Sequence, residues 1–125
     1  MSIDDLYDEH GRYKTNPKYR EILKLDKMLT DENIPHECIN YFDGWQVIYP
    51  SYAYCRIMDA IEHFGSYGKD EDKLEIMGLL TEEEKQNDSV LGYLTAEEVF
   101  SRIKEHWETA KEEVVRKDVP DDLPF

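Results

Sequence analysis

The sequence predicts an α+β fold, in which a small antiparallel sheet packs against two helices. A helical apolar pattern spans residues 17–32, a β-hairpin pattern spans 36–49, and a second, longer helical pattern spans 96–116. A chain of 125 residues is long enough for one domain with its own core. We therefore assign residues 1–116 to a single α+β domain and 117–125 to a flexible acidic C-terminal docking tail.

The first helix is predicted to begin at Asn16-Pro17, because Asn is a good N-cap and Pro suits the first helical position. At its other end, Asn33 is expected in the left-handed conformation, with Ile34 folding back on the last turn and Pro35 preventing continuation. The apolar face repeats at spacings of mostly three and four residues. It consists of Tyr19, Ile22, Leu23, Leu25, Met28 and Leu29.

The hairpin is centred on Asp43-Gly44, a type I′ turn signal. A two-residue loop at this position predicts that Phe42 pairs with Trp45. One face then carries Cys38, Asn40, Phe42, Trp45, Val47 and Tyr49, and the other carries Ile39, Tyr41, Gln46 and Ile48. Because both faces are largely apolar, we expect one to be covered and the second to be partly covered.

Residues 54–64 fit either a helical stripe or a third strand. The strand is preferred, because a lone hairpin is marginally stable. Residues 74–80 are predicted to be a short helix. Thr81 and Thr95 each precede a Glu by three residues, the pattern of a capping box, and the second box begins the longest helix. Its apolar stripe consists of Val99, Phe100, Ile103, Trp107, Ala110 and Val114.

The charge is strongly acidic, with 29 acidic and 15 basic residues and a net charge of −14. This balance disfavours direct nucleic-acid binding and favours solubility and basic partners. Cys38 and Cys55 lie outside any CxxC pair, and the sequence shows neither a signal peptide nor a membrane-length apolar run. We therefore expect a cytoplasmic protein with reduced cysteines and no membrane association.

Four residues could suggest a metal site: His36, Cys38, Cys55 and His63. In a strand, Cys55 and His63 would lie about 26 Å apart, and in a helix about 12 Å apart, so they would not share an ion. Ser66 lacks the strand-to-helix elbow of a nucleophile, and adjacent Glu62 and His63 would point to opposite faces of a strand. The sequence therefore predicts neither an enzyme nor a bound metal or cofactor.

Two alternative functions follow from clusters of similar residues. The first is divergent single-stranded-DNA binding, because aromatic side chains can stack bases, although no Lys or Arg lies between residues 36 and 54. These aromatics are Tyr41, Phe42, Trp45, Tyr49, Tyr52 and Tyr54. The second is inhibition of a host defence nuclease by an acidic strip that imitates DNA, although helix N-termini also attract acids. The strip comprises Glu82, Glu83, Glu84, Asp88, Glu97 and Glu98.

The tail ends in the peptide Asp121, Asp122, Leu123, Pro124, Phe125. A terminal Phe offers a ring for an apolar pocket and a carboxylate for Arg or Lys. The peptide resembles the acidic C-terminal tip of bacterial single-stranded-DNA-binding proteins. The resemblance implies partners among bacterial DNA-maintenance proteins, the replication, recombination and repair enzymes that bind that tip through a basic and apolar pocket.

The body has too few strand patterns for the oligonucleotide-binding barrel of those proteins. It resembles small proteins of bacteriophages of Gram-positive bacteria, through the segments Asn33-Ile34-Pro35-His36-Glu37 and Thr95-Ala96-Glu97-Glu98. This resemblance implies a phage-encoded protein and brings no activity with it. The sequence leaves the oligomeric state open.

Overall fold

In the described part of the chain, three α-helices, one short 3-10 helix (Lys69–Glu71) and a five-stranded antiparallel sheet form the fold, which confirms the predicted α+β class. The structure is a computed structural model that describes residues 9, 16–52 and 55–118. The strands lie in chain order, so each is paired with its sequence neighbours. The elements are α1 (Glu21–Asp31), β1 (Glu37–Tyr41), β2 (Gly44–Ser51), β3 (Cys55–Glu62), β4 (Leu74–Met77), α2 (Glu82–Asn87), β5 (Val90–Leu94) and α3 (Ala96–Asp118).

The core lies where α1 and α3 meet one face of the sheet. The two helices contact each other, and α1 also contacts β2 and β3. Burial of these apolar side chains is the main stabilising contribution. The fully buried set includes Ile22, Leu25, Leu29, Val47, Leu74, Val99 and Ile103.

Helix α1 begins four residues later than predicted, at Glu21 rather than at residue 17. The Asn16 carboxamide accepts a hydrogen bond from the Lys18 backbone at 2.9 Å, and the Asn16 carbonyl accepts one from the Tyr19 backbone at 3.0 Å. Asn16 therefore closes a separate turn ahead of the helix. The predicted C-terminus is confirmed, since Asn33 has φ 57° and the Ile34 backbone donates to the Leu29 carbonyl at 3.0 Å.

The hairpin forms, but the predicted turn and register are wrong. The loop is Phe42-Asp43, Tyr41 pairs with Gly44, and Phe42 lies in the turn with φ 55° instead of opposite Trp45. The physical reason is the position of β3. A Cβ on Gly44 would lie 1.8 Å from the Glu62 carbonyl oxygen, so the glycine is required within the strand for close approach.

The two faces of the hairpin nevertheless carry the predicted residues, apart from Phe42. Cys38 lies opposite Val47, where the prediction placed it opposite Tyr49. This shift of two residues preserves the alternation of side chains, whereas a shift of one would have exchanged the faces. Trp45, Val47 and Tyr49 accordingly pack on the core, and on the second face Ile48 is buried while Ile39 is exposed.

The predicted third strand is confirmed as β3, whereas the helix predicted for residues 74–80 is wrong. Residues 74–77 form β4, in which Leu74 and Ile76 are buried and Met77 is exposed. Burial at alternate positions is the period of a strand, which a segment this short did not distinguish from a helix. Gly78 follows with φ 98°, and β5 completes the sheet without having been predicted.

Both predicted capping boxes form. The Thr81 hydroxyl accepts from the Glu84 backbone at 3.1 Å while the Glu84 carboxylate accepts from the Thr81 backbone at 2.8 Å. Thr95 and Glu98 repeat this exchange at 3.1 and 3.3 Å at the start of α3. Helix α3 then continues to Asp118, two residues beyond the predicted boundary. Within the described ranges, no helix has both the length and the apolarity to cross a lipid bilayer.

Candidate functional site

The docking residues predicted from the sequence, Asp121, Asp122, Leu123, Pro124 and Phe125, lie outside the described residues. What the structure describes is the helix that leads to them. Among the side chains described on α3, Trp107 is the last that packs against the core. The helix backbone extends to Asp118, about 16 Å further along its axis. In the sequence, the candidate peptide begins three residues after the end of a helix that is anchored in the core by its first half.

The aromatic residues of the hairpin divide between different environments. Trp45 and Tyr49 face the core, and the buried Tyr49 hydroxyl lies 2.7 Å from Nδ1 of His106 on α3. Tyr52 is 68% exposed, while Tyr54 lies outside the described residues. A base-stacking surface requires rings that line one groove. Tyr41 and Tyr52 line one open groove together with Arg56, whereas Trp45 and Tyr49 do not line it, so this groove offers two rings and one cation to the single-strand-binding alternative.

A compact aromatic corner forms where the turn Phe42-Asp43 meets the end of β3. The rings of Tyr41, Phe42, His63 and Phe64 contact one another with centroid separations from 4.8 to 5.5 Å. Several of these contacts are edge-to-face, the arrangement that aromatic quadrupoles favour. His63 is buried, which lowers its pKa because the charged ring would lose hydration. The corner therefore joins the hairpin turn to β3.

Of the residues considered for a metal site, the described side chains of His36, Cys38 and His63 serve separate packing roles. His36 places Nε2 2.7 Å from the Asp26 carboxylate and Nδ1 2.8 Å from the Ile34 carbonyl, which ties α1 to the chain entering β1. Cys38 is half-buried, and this burial, with Asp26 nearby, raises the pKa of its thiol to about 12. Within the part of the chain that the structure describes, no three His, Cys, Asp or Glu side chains are grouped to hold a metal ion.

Ser66 closes the turn that follows β3. Its hydroxyl accepts from the His63 backbone at 3.1 Å and donates to the His63 carbonyl at 3.0 Å. The imidazole Nδ1 of His63 accepts from the Gly65 backbone at 3.0 Å. The imidazole is thus bound to the turn backbone, and the serine hydroxyl both accepts from and donates to the backbone of His63. These contacts give Ser66 and His63 a structural role.

The predicted acidic strip is interrupted by cations. Glu84 accepts two hydrogen bonds from Arg102, at 2.8 and 2.7 Å, and this pairing lowers the pKa of its carboxyl to about 2. Glu97 pairs with Lys24, while Glu98 is used in its capping box. Glu82, Glu83 and Asp88 remain exposed. Three of the six acids therefore form contacts within the fold, which argues against a continuous acidic surface that imitates DNA.

Sequence reasoning missed the role of Glu62, the last residue of β3. The side chain is fully buried, and its Oε1 accepts a hydrogen bond from the Ile22 backbone at 3.1 Å, at the start of α1. A signal was present, because Glu62 continues the alternation of Met58 and Ala60, which face the core. An acid at a core-facing position indicates a specific partner inside the protein.

No protein-family model, curated protein or solved structure shows significant similarity to this chain. The fold is an acidic α+β domain.

Proposed function

We propose that this protein is a non-enzymatic interaction module that presents residues 121–125 to bacterial replication, recombination or repair enzymes. The observation that carries the proposal is the sequence Asp-Asp-Leu-Pro-Phe, which resembles the tip of bacterial single-stranded-DNA-binding proteins. Binding would either recruit these enzymes or compete with that tip for their pocket. The resemblance of the body to phage proteins supports a phage-encoded module that acts on host proteins in the cytoplasm.

The chemistry of the peptide supports this proposal. In a chain that ends at Phe125, the ring and the α-carboxylate belong to one residue, and burying the ring contributes roughly 2–3 kcal/mol. Pro124 restricts the backbone and lowers the cost of ordering it, while Leu123 adds apolar area. Asp121 and Asp122 favour a receptor pocket with a basic rim and increase the association rate at low salt.

The body supports the same proposal as a carrier. Its net charge adds long-range attraction towards a basic receptor. Helix α3 is held at its start by a capping box and along its first half by the buried side chains of Val99 and Ile103. The candidate peptide is thus joined in sequence to a helix whose first half is anchored in the core.

The proposal is tested by capture of bacterial DNA-maintenance enzymes on the immobilised protein. We expect a chain that ends at Phe125 to capture them, and both deletion of Phe125 and addition of one glycine after it to abolish capture, since each removes the pairing of that ring with an α-carboxylate. The variant Tyr52→Ala, which removes an exposed ring elsewhere, is the matched control and should capture normally. Equal capture by the full chain and the Phe125 deletion would contradict the proposal.

A further inference from the structure

Two buried or half-buried carboxylates connect the sheet to both long helices. Glu62, on β3, accepts from the Ile22 backbone at 3.1 Å and so caps the N-terminus of α1. Glu21, the first residue of α1, in turn accepts from the Ala96 backbone at 2.7 Å and caps the N-terminus of α3. A single chain of contacts therefore runs from β3 through α1 to α3. We call Glu62, Glu21 and the two backbone amides they bind the carboxylate relay.

The second oxygen of Glu62 makes the carboxylate relay sensitive to the ionisation of this side chain. Oε2 is buried and has no hydrogen-bond partner among the described residues. The groups that face Glu62 are all acidic or neutral, namely Glu21 from α1, Asp72 from the loop before β4, and the Tyr19 hydroxyl from the turn before α1. No described cation contacts it to offset a negative charge, which leaves the helix N-terminus as the favourable partner.

We propose that Glu62 is a protonation switch, whose ionisation loosens the carboxylate relay and with it the first turns of α1 and α3. In the neutral form, Oε1 still accepts from Ile22 and no buried charge opposes Glu21 and Asp72. Ionisation places a charge on a desolvated oxygen beside two other carboxylates. Opening of the first turn of α1 hydrates that charge and withdraws Glu21 from Ala96.

The pH range of the switch follows from the environment of Glu62. Burial is the largest effect and, against the hydrogen bonds from α1, raises the pKa of this carboxyl to about 7 from its ordinary value of 4.5. The folded chain thus holds the proton more tightly than the unfolded chain does. The contribution of this carboxyl to the free energy of unfolding is therefore highest below pH 4.5. It falls as the pH rises and levels off above about 7.

The test combines carboxyl-carbon NMR with hydrogen exchange on the intact chain. We expect the Glu62 carboxyl carbon to titrate near neutral pH. The protection factors of the Ile22 and Ala96 amides, corrected for intrinsic exchange, should fall roughly tenfold or more between pH 6 and 8, which corresponds to about one pKa unit of coupling. In Glu62→Gln, which keeps an oxygen for Ile22 but does not ionise, protection should be independent of pH across this range.

Glu98→Gln is the matched control, because Glu98 also caps a helix but is exposed. It should keep the pH dependence of the wild type. Titration of Glu62 below pH 5, or the same pH dependence in Glu62→Gln as in the wild type, would overturn the proposal. Should Glu62→Gln fail to fold, the wild-type chain decides: protection of the Ile22 and Ala96 amides that stays constant while the Glu62 carboxyl titrates would overturn the proposal.

Discussion

At the scale of single residues, acidic side chains serve the fold in two opposite electrostatic settings. Glu84 lies beside Arg102, and its pKa is lowered to about 2, whereas Glu62 is desolvated and its pKa is raised to about 7. Both accept backbone hydrogen bonds near a helix N-terminus. The difference follows from the hydrogen bonds of Arg102 in one setting and from burial, with no cation among the described neighbours, in the other.

The Arg102 guanidinium joins α3 to α2 and to the segment before it. Arg102→Ala removes two hydrogen bonds to Glu84 and one to the Leu79 carbonyl, so we expect the free energy of unfolding at pH 6 to fall by about 2 kcal/mol. Because the folded pKa of Glu84 is lowered, the wild type should lose this contribution as the pH falls from 4.5 towards 2, and the variant should lose less.

Urea denaturation at pH 6 and pH 3 measures both effects. Lys85→Ala is the control, since its exposed ammonium lies 3.5 Å from Glu82 and should contribute less than about 0.5 kcal/mol. An Arg102→Ala variant as stable as Lys85→Ala at pH 6 would contradict this prediction, because the hydrogen bonds of Arg102 would then contribute no more than an exposed ion pair.

At the scale of elements, close contacts between neighbouring strands decide what local patterns leave open. The turn signal Asp43-Gly44 predicted a loop one residue later than the one observed, because the need for glycine arises from β3, distant in the sequence. Asn33, Ile34 and both capping boxes were predicted correctly because their partners lie within five residues. Hydrogen bonds between residues close in the sequence could therefore be predicted, whereas contacts between neighbouring strands could not.

Gly44 provides a direct test of this explanation. Its Cβ in Gly44→Ala would lie 1.8 Å from the Glu62 carbonyl oxygen, a backbone atom that moves only with β3. We expect a loss of about 3 kcal/mol or more in the free energy of unfolding. Gly65→Ala is the comparison, because its Cβ would lie 3.0 Å from a side-chain atom of His63, a much milder approach than 1.8 Å to a backbone atom. Thermal denaturation showing equal losses in both variants would contradict the close-approach explanation.

The role of Glu62 shows why part of the candidate chemistry was missed. The alternation of Met58, Ala60 and Glu62 indicates that the acid faces the core, but the identity of its partner depends on where α1 begins. The sequence pattern placed that start at residue 17, whereas the helix begins at Glu21. Only with the correct start do the Ile22 amide and the Glu21 carboxylate take their positions in the carboxylate relay.

At the scale of the whole molecule, the fold and the proposed function belong to different parts of the chain. The described body is built from α1, α3 and the sheet, while the peptide proposed to bind follows the end of α3. Several chains in one particle would raise the effective affinity without new contacts. The strength of docking should therefore be measured on a purified receptor at known protein concentration.

The most direct measurement is the dissociation constant for a purified bacterial repair enzyme that binds the tip of single-stranded-DNA-binding proteins. For the full chain we predict a value near 1 μM at low salt, about −8 kcal/mol, that weakens as salt is added. Deletion of Phe125 should weaken binding by roughly 30-fold or more, the equivalent of burying one aromatic ring. Dissociation constants that are equal with and without Phe125 would contradict the central claim.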